Sequence, residues 1–300
     1  MKVPSACLFL LLTLGRMSVV WADDINVPGN KNSIKEAILA AQQGGGTTIH
    51  VVTDWVEPGP LIVDRPVTII VNTGFSATIT GSGTLIQTTA AGAFIQGLTF
   101  SLTGNSTVPM ILLNYKATLQ ACTIRDNGYT SAPAGGNNGV IEICGPPAVG
   151  GKLIDNTIII SSPSIGVIRN VIFSTDSTVL DPTLIIGNDI QILAVNSWWR
   201  AVNISGGAQG YQVQSNNITF NGGPQTGIRV GDQVYSVLVN DNHLLDTSPT
   251  LSAVAIGIQL GLTSGTVSYN TIVGMTYGIL LSTSTLGSHP AILNNDTWLP

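Results

Sequence analysis

Charged side chains make up only 9% of this 300-residue chain, where about 25% is usual, so the places where they gather are the first candidates for chemistry. Seven fall between positions 116 and 169: Lys116, Arg125, Asp126, Glu142, Lys152, Asp155 and Arg169. About five would fall there by length alone. Proton abstraction from an acidic sugar ring needs a base beside the ring proton and a cation against the neighbouring carboxylate. Arg125, Asp126, Glu142 and Arg169 are therefore the candidate catalytic set, weighed against scattered solvated charges. Arg125 follows an apolar Ile124 and is expected to point outward.

The triplet Trp198-Trp199-Arg200 is the second candidate. Sugar rings stack on aromatic faces, and arginine grips carboxylates and hydroxyls, so these three residues could form a binding platform. The alternative is that one indole packs on the core and the other covers a loop. His50, His243 and His289 are not at metal-ligand spacing and Asp-rich calcium loops are absent, so neither metal nor other cofactor is expected. Cys122 and Cys144 are separated by close to one structural repeat, and read equally well as a disulfide or as buried thiols. Sequons at Asn105, Asn203, Asn217 and Asn295 are glycan acceptors in a eukaryotic host.

The elements that must position these residues show in a repeat. Asn-x-(Ile/Leu) recurs at Asn156, Asn188, Asn216, Asn242 and Asn270, nearly evenly spaced, with a looser copy at Asn295. Such a period with strand-like content means stacked solenoid coils, each burying its apolar face against its neighbours. An asparagine at each corner tolerates a left-handed backbone and can bond the asparagine of the next coil, forming a ladder. The steps on either side of Asn156, from Cys122 and to Asn188, are the longest and imply inserted loops, foremost 127–138. Asn170-Val171-Ile172 fits the signature but not the spacing, which leaves the register between 156 and 188 open.

Ahead of the coils, residues 33–43 place Ile34, Ala37, Ile38 and Ala41 on one helical face, with Ser33 and Glu36 as a capping box and Gly44-Gly45-Gly46 as the stop. The period then changes to two in short runs such as Thr48–Val52, Leu61–Val63 and Val67–Val71. Residues 1–22, with Lys2, an apolar run at 8–14 and small residues before Asp23, read as a secretory signal, so the protein is expected outside the cell. No later run is long enough for a membrane anchor. Without Lys2 and Arg16, nine basic residues face sixteen acidic ones, a net charge of −7, which excludes a nucleic-acid partner. Residues 23–300 read as one all-β domain of roughly ten coils, a single right-handed parallel β-helix with a short N-terminal capping helix. The C-terminal coil has no such cap, and end-to-end self-association is expected of it.

The entry segment Ser33-Ile-Lys-Glu-Ala-Ile-Leu-Ala-Ala, with Thr48-Ile-His-Val-Val, Leu61-Ile-Val-Asp-Arg-Pro-Val-Thr-Ile-Ile and Ala77-Thr-Ile-Thr-Gly, resembles the start of the β-helices of the pectin lyase-like superfamily. The resemblance implies the fold and extracellular polysaccharide as partner. It does not imply one activity, because that superfamily spans lyases, hydrolases, esterases, epimerases, adhesins and proteins without known activity. The motifs of its polygalacturonases, pectinesterases and calcium pectate lyases are missing, and Asp181-Pro182-Thr183 lacks the histidine of the epimerases' Asp-Pro-His. A binding or structural role is thus placed ahead of a polysaccharide lyase or related enzyme.

Overall fold

A computed structural model describes residues 23–129, 139–143, 150–163, 168–175, 181–195, 198–206, 209–223, 225–248, 254–261, 263–282 and 290–298. Among them the strands form three parallel sheets of eleven, ten and nine strands, each coil between the two ends contributing in turn to all three. This is a right-handed parallel β-helix. Alternation explains why short runs suffice. In the eleven-stranded sheet Ile49, Ile69, Ile95, Leu119, Leu153 and Ile185 occupy one register column, wholly buried, while His50, Ile70 and Gln96 beside them are at least partly exposed. The core is a stack of such columns rising about 4.8 Å per coil.

Most corners between the eleven- and ten-stranded sheets are two residues long, and there the asparagine ladder sits. Asn156 Nδ2 donates to Asn188 Oδ1 at 2.9 Å, and the same bond links Asn188 to Asn216, Asn216 to Asn242 and Asn242 to Asn270, each at 2.9 Å. Asn270 continues it to Asn295 at 2.8 Å. Each oxygen also accepts the backbone N–H of the preceding asparagine. The left-handed residue is not the asparagine, as the sequence suggested, but the one before it: Asp155, Gly187, Ser215, Asp241, Tyr269 and Asn294 all have φ between 50° and 68°. Cys122 occupies the first rung, its N–H bonded to Asn156 Oδ1 at 3.0 Å. Asn170 is not a corner residue. It lies in the strand Arg169–Ser174 of the nine-stranded sheet, which closes the open register.

The helix is shorter than expected, Ile34–Ala40, and ends at Ala41 rather than at the glycines. Its buried Ile34, Ala37 and Ile38 cover the open end of the first coil. Two buried charges from the second coil hold it. The Glu57 carboxylate accepts the N–H groups of Ile34 and Lys35 at 2.8 and 3.1 Å. The Arg65 guanidinium donates to the carbonyls of Leu39 and Ala41 at 2.9 and 2.8 Å. Both signs match the helix dipole, and Arg65 takes up the carbonyls that a glycine cap would otherwise satisfy. At the other end the strands Ala291–Leu293 and Asp296–Trp298 are exposed throughout. No helix among the described residues is long and apolar enough to cross a membrane. Residues 1–22, read from the sequence as a secretory signal, lie outside the described residues.

Candidate functional site

Of the candidate catalytic set only Arg125 stands apart, since Asp126, Glu142 and Arg169 all act on Tyr129. Arg125 points outward, as expected, from the ten-stranded sheet, between Ser101 and Ile159 of the neighbouring coils. Asp126, the next residue, must therefore point inward, and it is wholly buried. One oxygen accepts the N–H groups of Gly128 and Tyr129 at 3.0 and 2.7 Å and the other accepts the Ser162 hydroxyl. It braces a turn and cannot meet a polymer, which corrects its assignment as a base. Glu142 and Arg169 belong to the nine-stranded sheet. Arg169 spends one terminal nitrogen on the carbonyls of Tyr129 and Pro163, at 2.9 and 2.7 Å, and burial lowers its pKa.

What the structure does gather around Glu142 and Arg169 is Tyr129. It is wholly buried, its hydroxyl has no hydrogen-bond partner among the described residues, and its pKa is pushed up to about 12 by burial first and the Glu142 charge second. Nothing in the local sequence marks it.

The tryptophan pair divides. Trp199 is wholly buried against Tyr129, ring centroids 6.4 Å apart, and only Trp198, 39% exposed, remains for a ligand. The two-indole platform is thus corrected to a single exposed indole, because consecutive residues of an extended chain face opposite ways. Arg200 emerges instead on the face of the nine-stranded sheet, in register with Asn170 and Thr226. Asn203 Nδ2 donates to Asn170 Oδ1 at 3.0 Å, and Arg229 Nη1 donates to Asn203 Oδ1 at 3.0 Å. Asn170, Arg200, Asn203 and Arg229 thus form one polar patch across three successive strands, with Gln259 in the next.

Its electrostatics are unbalanced. Neither guanidinium has an ion pair among the described residues. Arg200 Nε is buried with no hydrogen-bond partner, and burial, then the charge of Arg229, lower the pKa of this side chain to about 10. A buried donor left without an acceptor is costly. The terminal nitrogens of Arg200 are not among the buried atoms and suit an anion with two coplanar oxygens. Sequence reasoning named Arg200 but missed Arg229 and Asn170. Arg200 is in register with Thr226 and Arg229 with Asn203, so no regular spacing in the sequence marks the pair.

The remaining candidates separate cleanly. Asn203 is 2% exposed with both amide atoms engaged, so it has no room for a glycan. Asn295 is the last ladder rung, its nitrogen bonded to the carbonyls of Val267 and Leu293. Asn105 and Asn217 are exposed. Cys122 is a buried free thiol, pushed up to about 12 by desolvation; Cys144 lies outside the described residues, as does His289. His50 bonds Asn72 at 3.1 Å and His243 contacts Asn217 at 3.2 Å. No group of His, Cys, Asp and Glu among the described residues could hold a metal ion.

Fold and patch together define a three-sheet β-helix protein with a cationic site on one face. A solved structure of similar shape is the A-module of the mannuronan C-5 epimerase AlgE4 from Azotobacter vinelandii, 14% identical, with 93% of each chain covered and a TM-score of 0.40. No family model and no curated protein matches the chain.

Proposed function

We propose that this protein is a secreted β-helix that binds an acidic polysaccharide along the outer face of its nine-stranded sheet. The observation that carries this reading is the Arg200–Arg229 pair. Two neighbouring guanidiniums without an ion pair among the described residues favour a ligand that brings carboxylates. Gln259 extends the same face with a neutral amide suited to hydroxyls, and the exposed Trp198 flanks it. Without residues 1–22 the net charge is −7, so the attraction is local and should weaken with salt.

Calorimetric titration with oligogalacturonate and oligomannuronate tests it. Wild-type protein should bind at least one, and Arg200→Ala or Arg229→Ala should weaken binding at least tenfold, about the 1.5–3 kcal/mol of a charge-assisted bond. Arg125→Ala, on another sheet, should leave it unchanged. If neither acidic oligomer binds, or if the Arg125 change matters as much as the other two, the assignment is wrong.

One observation favours an enzymatic alternative on the same polymer. Glu142 shares a register column with Phe173, Asn203 and Arg229, so a carboxylate lies on the same face as the cations. A lyase or epimerase would use it as the base. Glu142→Gln should then abolish unsaturated or epimerised products while binding persists, whereas a binder yields no product before or after the change.

A further inference from the structure

The corners between the eleven- and ten-stranded sheets are unequal in length, and the inequality opens a cleft far from the arginine pair. The connection after the strand Val67–Val71 takes five residues, 72–76, before Ala77–Gly81 begins. One coil later Phe94–Gln96 passes to Leu98–Leu102 through Gly97 alone. The long turn therefore overhangs a low floor. Gly97 has φ of +79°, and a Cβ there would stand 3.3 Å from Val71 Cβ, so both backbone and space hold the floor down. The result is a cleft of about 630 Å³.

Its lining is amphipathic and uncharged. Phe75, 46% exposed, supplies an aromatic surface, and Asn72, Thr73 and Gln96 supply amides and a hydroxyl. Asn72 Oδ1 meets His50 Nδ1 at 3.1 Å, which orients the amide. No described residue takes up the Thr73 hydroxyl or the Gln96 amide in a hydrogen bond. An aromatic ring beside neutral donors and acceptors suits a ligand with an apolar C–H face and a rim of hydroxyls. Absence of charged groups from the lining disfavours a uronate here.

We infer that this cleft, formed by Phe75, Asn72, Thr73 and Gln96 over Gly97, is a binding site for a neutral saccharide. It does not depend on the acidic polymer reading, since it lies on other sheets and uses other chemistry. Saturation-transfer NMR with cellotriose, mannotriose, galactotriose and xylotriose tests it. Transfer to at least one trisaccharide is expected, and both Phe75→Ala and Gln96→Leu should remove it or weaken binding at least tenfold. Both side chains lie outside the core, and an unchanged thermal melt would show that the fold is kept. Should Phe75→Ala fail to fold, Gln96→Leu decides alone. Binding of trigalacturonate should be untouched by either change. No transfer from any of the four sugars, or transfer that survives both substitutions, overturns the proposal.

Discussion

Asn216 shows how a single side chain can stabilise three coils. Its oxygen accepts the N–H and the Nδ2 of Asn188, while its own Nδ2 donates to Asn242 Oδ1 and to the carbonyl of Ile185. Asn216→Leu keeps the volume and strands several buried polar groups, each costing about 1–3 kcal/mol. A loss of at least ~3 kcal/mol by chemical denaturation is expected from those orphaned groups, against less than about 0.5 kcal/mol for the outward Thr157→Ala. Cys122 gives a second expectation at this scale. With its thiol buried and its pKa raised to about 12, almost no thiolate exists at neutral pH, and thiolate is the reactive species. A thiol reagent should label Cys122 only as fast as the coil opens, and adding denaturant should restore rapid labelling. Prompt labelling of the native protein at that residue would contradict the burial. The ladder was legible because asparagine at a fixed corner is a residue-level signal. Asp126 was not, although the same alternation that puts Arg125 outside puts its neighbour inside.

Elements were legible wherever local chemistry decides them. Ser33 caps the helix as its sequence requires, with the Glu36 N–H bonded to its hydroxyl at 3.1 Å. The helix end was not legible, because Gly44-Gly45-Gly46 offers a local stop that a distant cation pre-empts: Arg65, from the second coil, bonds the Ala41 carbonyl. Removing that partner should expose the dependence. Arg65→Ala orphans two carbonyls and Glu57→Ala orphans two helix N–H groups, so each should cost about 1–3 kcal/mol. Both should also speed proteolysis near residues 30–45. Stability loss without faster cleavage there would mean that the second coil, not the helix, had been loosened.

At the scale of the whole molecule, regular and irregular faces differ in how they are written. From ladder asparagine to the outward column of the nine-stranded sheet the chain runs from Asn156 to Phe173, from Asn188 to Asn203, from Asn216 to Arg229 and from Asn242 to Gln259, and no two successive spans have the same length. No fixed period can reveal a patch assembled through connections that vary this much, whereas the two-residue corners repeat without change. The same stack makes stability directional. Each coil is held by its two neighbours, but the strands Ala291–Leu293 and Asp296–Trp298 pair on one side only and are exposed throughout, while the helix covers the opposite end. Amide hydrogen exchange should therefore be fastest in these last strands, slower over Thr47–Val51 beneath the helix, and slowest in central strands such as Thr183–Ile186 and Asp189–Ile192. Glu57→Ala should raise exchange at Thr47–Val51 and leave the central strands unchanged, because coupling between coils decays with distance along the stack. Uniform exchange over all coils, rising everywhere in the variant, would show a single cooperative unit in place of a chain of nearest-neighbour coils.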